Sequence, residues 1–214
     1  MIALIAVAIV VLVAIYHFGK KKTFFSTRNI AATGFLTAIE IVLQILGNFI
    51  TLGPVSINLC LIPIAMGAIL YGPFCGAFLG LINGIAVIFA PSTFAIFMPL
   101  NPVGTIFLCL LKTTLAGLIA GLVYLPFKKH KPFLGSVFAS ILLPVINTGI
   151  FSLGALLFFK PFLTNVATSM NFPNIHAALI FGVIGWNFIF ELASSVIISP
   201  SLSRVIIYKR RHVE

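Results

Sequence analysis

Three charged residues, Lys112, Glu40 and Glu191, lie inside long apolar stretches of this sequence and are the side chains best suited to chemistry. A lone ammonium near the middle of an apolar helix costs on the order of 3 kcal/mol on membrane-insertion scales, so another group must compensate the charge of Lys112. Two interpretations are open. Lys112 could be the counter-ion of an anionic solute, or it could form an ion pair with Glu40 or Glu191.

The region around Glu191 contains further residues that could contact a solute. Asn187 precedes Glu191 by four residues, so the two side chains share one face of a helix. Trp186, beside them, could stack against a solute or pack in a helix interface. Glu40 fits a structural partner better than a solute ligand.

Three asparagines inside apolar segments have two possible roles. Asn147 follows Pro144 by three residues, a pattern that can open a helix around a cavity or simply accompany an ordinary interhelical hydrogen bond. The same alternatives apply to Asn83 and Asn58, for which interhelical bonding is favoured. Each must be paired or functional, because an apolar solvent penalises an isolated amide.

The sequence lacks the residue types of several kinds of enzyme. Aspartate is absent and only three glutamates occur, so paired-carboxylate and metal-centred hydrolysis have no residues to use. No phosphate-binding G-x-x-x-x-G-K-[ST] loop occurs, so the chain does not hydrolyse ATP by that route. Its cysteines and histidines are scattered. We expect no enzymatic activity, no metal and no other cofactor.

The composition is that of a multi-pass membrane protein, with 61% hydrophobic and 7% charged residues. The net charge of +10 does not indicate nucleic-acid binding, because the basic residues form short runs between apolar segments, at 20–22, 128–131 and 209–211. Under the positive-inside rule such runs lie in the cytoplasm. We therefore predict a protein of the cell membrane with a cytoplasmic C-terminus.

The apolar segments predict an all-α fold in two parts. Residues 1–22 form an N-terminal transmembrane anchor, because the apolar stretch precedes its lysines instead of following them as in a signal peptide. Residues 23–214 form a six-helix membrane domain. Its helices are predicted at about 29–47, 58–71, 73–90, 103–127, 132–159 and 177–208, with a kink at Pro200.

The stretch 53–91 supplies the frame of that domain. Gly72 and Pro73 predict a reversal after a short second helix. Gly76, Gly80 and Gly84 recur every four residues and allow another helix, internal or from a partner, to approach closely.

Two long segments, 91–102 without charge and 160–176 nearly without, are expected to be loops on the side away from the basic runs. Loops of this kind above a bundle that contains polar residues indicate an outward-facing pocket with lids.

These features carry a resemblance to a known family. INLCLIPIAMGAILYGPFCGAFLGLINGIAVIF, followed by Pro99, by CLLKTTLAGLIAGLVY and by the basic run, resembles the S components of energy-coupling factor (ECF) vitamin transporters. The sequence looks most like the pantothenate-specific branch. The resemblance covers about 29–211 and leaves the N-terminal helix outside.

The resemblance implies a subunit that captures a vitamin from outside and reorients on a transmembrane T subunit driven by two ATPases. The first helix of such proteins carries an A-x-x-x-A-like docking motif, and Ala31, Gly34 and Ala38 are its nearest match here. The implied pocket residues are Asn101, Lys112, Asn147, Trp186, Asn187 and Glu191, and we add Asn83.

Pantothenate has one carboxylate, two hydroxyls and an amide. Lys112 would receive the carboxylate, and Asn147 and Asn187 would bind the hydroxyl or amide groups. The alternative function is an autonomous carrier or facilitator that uses Glu40, Glu191 and Lys112 as a proton relay. The sequence shows no duplicated halves of the kind that such carriers usually have.

Overall fold

The computed structural model describes residues 27–50 and 58–213, and its regular elements there are all helical. The predicted N-terminal anchor, residues 1–22, lies outside the described residues. The helices are α1 (Thr27–Asn48), α2 (Leu61–Tyr71), α3 (Pro73–Ile88), α4 (Pro102–Phe127), α5 (Pro132–Phe158), α6 (Lys160–Ser169) and α7 (Gly185–Val213). Two π-helical segments, Thr93–Phe97 and Ala178–Ile184, and one helical turn, Ile175–Ala177, complete the described chain.

Within the described residues, four helical stretches are long and apolar enough to cross a membrane: Asn29–Asn48, Pro102–Phe127, Pro132–Phe158 and Ile175–Ile206. The shorter helices α2 and α3 are also apolar. At 1.5 Å per residue, α2 is about 17 Å long, well short of the roughly 30 Å hydrocarbon core. Most of its side chains are buried, as expected for a helix that is apolar all round. The prediction of an all-α membrane fold is confirmed.

The predicted reversal between α2 and α3 lies at Gly72. Its φ of 102° and ψ of 175° are angles that only glycine adopts without strain. Pro73 follows as the first residue of α3, a position where a proline ring is already shaped for a helix. The two residues together turn the chain in a single step.

The predicted glycine face packs against α4 inside the bundle. A Cβ at Gly76, Gly80 or Gly84 would come within 3.0 Å of a main-chain carbonyl oxygen in the segment 109–117, closer than real Cβ atoms come to other atoms. Of the two uses considered for these glycines, internal packing is therefore the one observed. It brings the backbones of α3 and α4 into direct contact.

Two clusters of buried apolar side chains divide the bundle. The first cluster contains side chains from each of the five helices α1 to α5, among them Leu36, Ile64, Leu79, Ala116 and Leu143. The second cluster includes Phe97, Leu108, Phe159, Leu163 and Leu179. Because successive helices run in opposite directions, the second cluster lies where α1, α3 and α5 end and where α4 and α7 begin. The basic run at 128–131 is at the opposite end.

The prediction of a loop over 160–176 was wrong for its first part, which forms α6. Leu163, Val166 and Ala167 are buried on one side of this helix and pack in the second cluster. Their spacing is helical, and a proline in the first turn favours a helix start. The polar residues between them concealed the pattern. Instead of a loop, a helix covers this end of the bundle.

The other predicted lid, 91–102, contains the π-helical segment Thr93–Phe97. Phe97 fixes this segment among three aromatic rings, with centroid distances of 4.9 Å to Phe159, 5.2 Å to Phe162 and 6.0 Å to Phe151. Such ring pairs add about 0.5–1.5 kcal/mol each beyond their buried area. The segment is therefore part of the packed structure at this end.

The contact between α3 and α4 can be tested with two glycine-to-alanine variants. Gly80→Ala should lower the free energy of unfolding by about 1–3 kcal/mol, because the new methyl group meets the Thr113 carbonyl. Gly34→Ala is the matched control, since a Cβ there meets nothing within 4 Å and alanine has the higher helix propensity. Thermal unfolding in detergent measures both. Equal transition midpoints would contradict the packing argument.

Candidate functional site

Two adjoining cavities lie beside the second cluster. The first cavity has about 570 Å³ of empty volume, including the part open to solvent. Its polar lining comes from helices far apart in the sequence, and Phe97, Phe151 and Phe159 supply aromatic walls. The polar lining residues are Gln44, Asn58, Thr93, Thr105, Lys112 and Glu191. A mixed lining of this kind is typical of small-molecule sites.

The second cavity lies between α4, α5 and the start of α7 and has about 360 Å³ of empty volume. Asn147, Thr148 and Asn187 line it. Lys112, Phe151 and Glu191 line both cavities and so form their common wall.

Lys112 is half-buried on α4. Its Nζ lies 5.2 Å from the centroid of the Phe151 ring, a cation–π contact worth on the order of 0.5–2 kcal/mol. Of the two acids considered as its partner, Glu191 lines the same cavities and Glu40 lines neither. The ammonium therefore faces a space that a solute anion could occupy.

Glu191 is buried, with 6% of its surface exposed. Its Oε1 accepts a hydrogen bond of 3.1 Å from the main-chain nitrogen of Asn58. This bond joins α7 to the chain just before α2, across 133 residues of sequence. The carboxylate is thus fixed by a main-chain donor, while the ammonium of Lys112 lies over a ring.

A buried amide network connects this wall to α1. Asn58 Nδ2 donates to Asn83 Oδ1 at 3.0 Å, and Asn83 Nδ2 donates to Gln44 Oε1 at 3.2 Å. Gln44 lines the first cavity and was not predicted from the sequence. The one available signal was its position four residues after Glu40 on the same face of an apolar helix.

Four of the seven predicted pocket residues lie together at the cavities: Lys112, Asn147, Asn187 and Glu191. Asn147 is buried, and its Oδ1 has no hydrogen-bond partner within the part of the chain that the structure describes. A buried amide oxygen without a partner carries a desolvation penalty of about 1–3 kcal/mol. A solute donor in the second cavity would remove that penalty.

The other three predicted residues lie away from the cavity walls. Asn83 belongs to the amide network. Asn101 caps α4, with its Oδ1 accepting from the Gly104 nitrogen at 2.9 Å. Trp186 is 68% exposed and lines neither of the two cavities. Solute contact by these three stays a prediction.

Glu40 lies on α1 and lines neither cavity. Its side chain is fully buried, and among residues 27–50 and 58–213 neither carboxyl oxygen has a hydrogen-bond partner. The same described ranges contain no group of three or more His, Cys, Asp or Glu residues that could hold a metal ion.

The predicted docking residues are on the outer surface of α1. Ala31, Gly34 and Ala38 are all exposed, and their spacing places them along one side of the helix. A Cβ at Gly34 would meet nothing within 4 Å. The small-residue strip is therefore open to a partner helix or to lipid.

An apolar helical bundle with a half-buried ammonium and amide groups around a cavity belongs to the class of solute-binding membrane proteins. The family model of the substrate-specific component of ECF transporters matches residues 28–202, so the chain belongs to that family. It matches no curated protein and no solved structure significantly. The chain is a substrate-specific membrane subunit of an ECF transporter, and its family implies a T subunit, ATPases and a small substrate as partners.

The contribution of the amide network to stability can be tested with one substitution. Asn83→Leu keeps a similar side-chain size but leaves Asn58 Nδ2 without its acceptor, so the free energy of unfolding should fall by about 1–3 kcal/mol. Asn165→Leu, at an exposed position of α6, is the control and should have little effect. Unfolding curves of the detergent-solubilised proteins give both free energies. An unchanged free energy of unfolding in Asn83→Leu would exclude a structural role for the network.

Proposed function

We propose that this subunit binds a small carboxylate solute in the two adjoining cavities, with pantothenate as the first candidate vitamin. It would deliver the solute across the membrane by reorienting on a T subunit energised by two ATPases. The observation that carries the proposal is the position of Lys112, whose ammonium belongs to the wall common to both cavities. Hydrogen bonds between an ammonium and a carboxylate are among the strongest in proteins.

The chemistry of the cavity walls supports a solute of this kind. Lys112 would hold the carboxylate, while Asn147 and Asn187 offer both donors and acceptors to hydroxyl or amide groups. Phe97 and Phe159 would cover the apolar carbons of the solute.

The basic runs support an orientation in the membrane. The run 128–131 connects α4 to α5 at the end opposite the cavities, and the run 209–211 follows at the end of α7. The positive-inside rule places both in the cytoplasm. In this proposal the cavities open to the outside and the C-terminus is cytoplasmic.

The exposed strip of α1 supports a place for the T subunit. Ala31, Gly34 and Ala38 would let a partner helix approach at backbone distance, and helices in membranes associate mainly through such close packing. The glycines of α3 are already used against α4, so the strip on α1 is the better docking candidate.

Lys112→Met tests the solute site, because it keeps an unbranched side chain and removes the charge. Pantothenate affinity should fall about 10- to 100-fold, since a hydrogen bond to a charged group contributes about 1.5–3 kcal/mol. Lys160→Met removes an exposed charge outside both cavities and is the control. Calorimetric titration of the detergent-solubilised protein measures both. Equal affinity in Lys112→Met and the parent protein would remove the central claim.

The identity of the solute can also be determined without choosing a candidate in advance. Mass spectrometry of small molecules that co-purify with the protein, followed by titration of the compound found, should identify a carboxylate. A co-purifying solute without any anionic group would contradict the role given to Lys112.

Docking on the T subunit can be separated from solute binding. Gly34→Leu should abolish co-purification with the T subunit and the ATPases and leave pantothenate affinity unchanged, because the strip lies outside the cavities. Gly149→Leu is the control, an exposed helical glycine with open space around its Cβ position. Solute uptake into liposomes is a second test. Uptake by this chain without the T subunit and the ATPases would favour the autonomous carrier instead.

A further inference from the structure

The lining of the two cavities is balanced in charge before any solute enters. Among the lining residues that the structure describes, Lys112 and Glu191 are the charged side chains, one of each sign, and both belong to the common wall. A monoanionic solute bound at Lys112 adds a second negative charge. The wall would then hold two carboxylates and one ammonium, with a net charge of −1.

Within residues 27–50 and 58–213, the surroundings of Glu191 offer no second cation to offset that charge. The facing groups are Lys112 and the Cys109 thiol on α4, and the Cys60 thiol just before α2. The α5 segment Pro132–Phe158 and the π-helical segment Ala178–Ile184 contain no titratable residue. Glu191 is also buried, so water screens the charge poorly.

Glu191 cannot easily move away, because its Oε1 is held by the Asn58 main-chain nitrogen. That bond survives if the carboxyl group becomes neutral, since the carbonyl oxygen of a carboxylic acid still accepts a hydrogen bond. The acid hydroxyl then becomes a donor. Two carboxylates that share one site commonly hold one proton between them, because their like charges disfavour ionisation of both.

We propose that a monoanionic carboxylate solute binds together with one proton from water, which Glu191 takes up, so that the cavity is electrically neutral both empty and loaded. The inference rests on the proposed function, because it takes the solute carboxylate to be held at Lys112. The atoms and charges of this step balance, because Glu191 gains one proton from water and no other covalent bond changes. Glu40 is not the acceptor, because it lines neither cavity.

Neutrality matters for a subunit that carries its solute through a bilayer. An uncompensated charge at the centre of a membrane costs several kcal/mol. A loaded cavity without net charge avoids that cost while the subunit reorients. The solute and its proton would then enter the cell together.

Proton uptake can be measured with the full-length protein in detergent. Pantothenate is titrated calorimetrically at a series of pH values, in buffers that differ in ionisation enthalpy. The parent protein should take up about one proton per solute. Glu191→Gln should take up none, and Glu40→Gln, a change at the other intramembrane acid, should still take up one. Wherever the parent takes up a proton, its affinity should fall as the pH rises, by up to tenfold per pH unit, whereas that of Glu191→Gln should not change.

The possible results separate this inference from the proposed function. Pantothenate binding that depends on Lys112 but takes up no proton would overturn the inference alone. An absence of pantothenate binding to the parent protein would overturn both. If Glu191→Gln does not fold, infrared difference spectra replace it: a protonated carboxyl band that appears on adding pantothenate, in the parent and in Glu40→Gln, supports the inference, and its absence overturns it.

Discussion

The structure depends on keeping one ammonium, that of Lys112, inside an apolar bundle. The charge cannot be packed among methyl groups, because burial without compensation costs more than a single helix contact returns. The bundle therefore leaves space around it, with the Phe151 ring on one side and Glu191 in the same wall.

The first cluster of buried apolar side chains forms a tightly packed frame. The short helix α2 is buried and α3 lies at backbone distance from α4, so these elements have little freedom to shift. The amide network connects this frame to the cavity wall. Asn58 donates a hydrogen bond to Asn83 on α3 through its side chain and another to Glu191 through its main-chain nitrogen. The acid is thus positioned by hydrogen bonds that begin in the packed frame.

Much of the fold could be predicted from the sequence, because long apolar segments and Gly72 leave few alternatives. The helix α6 was missed since only Leu163, Val166 and Ala167 mark its buried side, too short a pattern to outweigh the polar residues between them. In the candidate site, Lys112 stood out because a charge in an apolar segment is conspicuous. The role of Gln44 depends on which helices are neighbours, and no local pattern contains that information.

The hydrogen bond between Asn58 and Glu191 has a consequence for biosynthesis. Its two ends are made far apart in time, because translation proceeds at about 5–20 residues per second and the N-terminal helices are synthesised first. The wall of the cavity is complete only when the final membrane-spanning helix has been inserted beside the earlier ones. A chain interrupted before that helix would have Lys112 without Glu191, and its cavity wall would be incomplete.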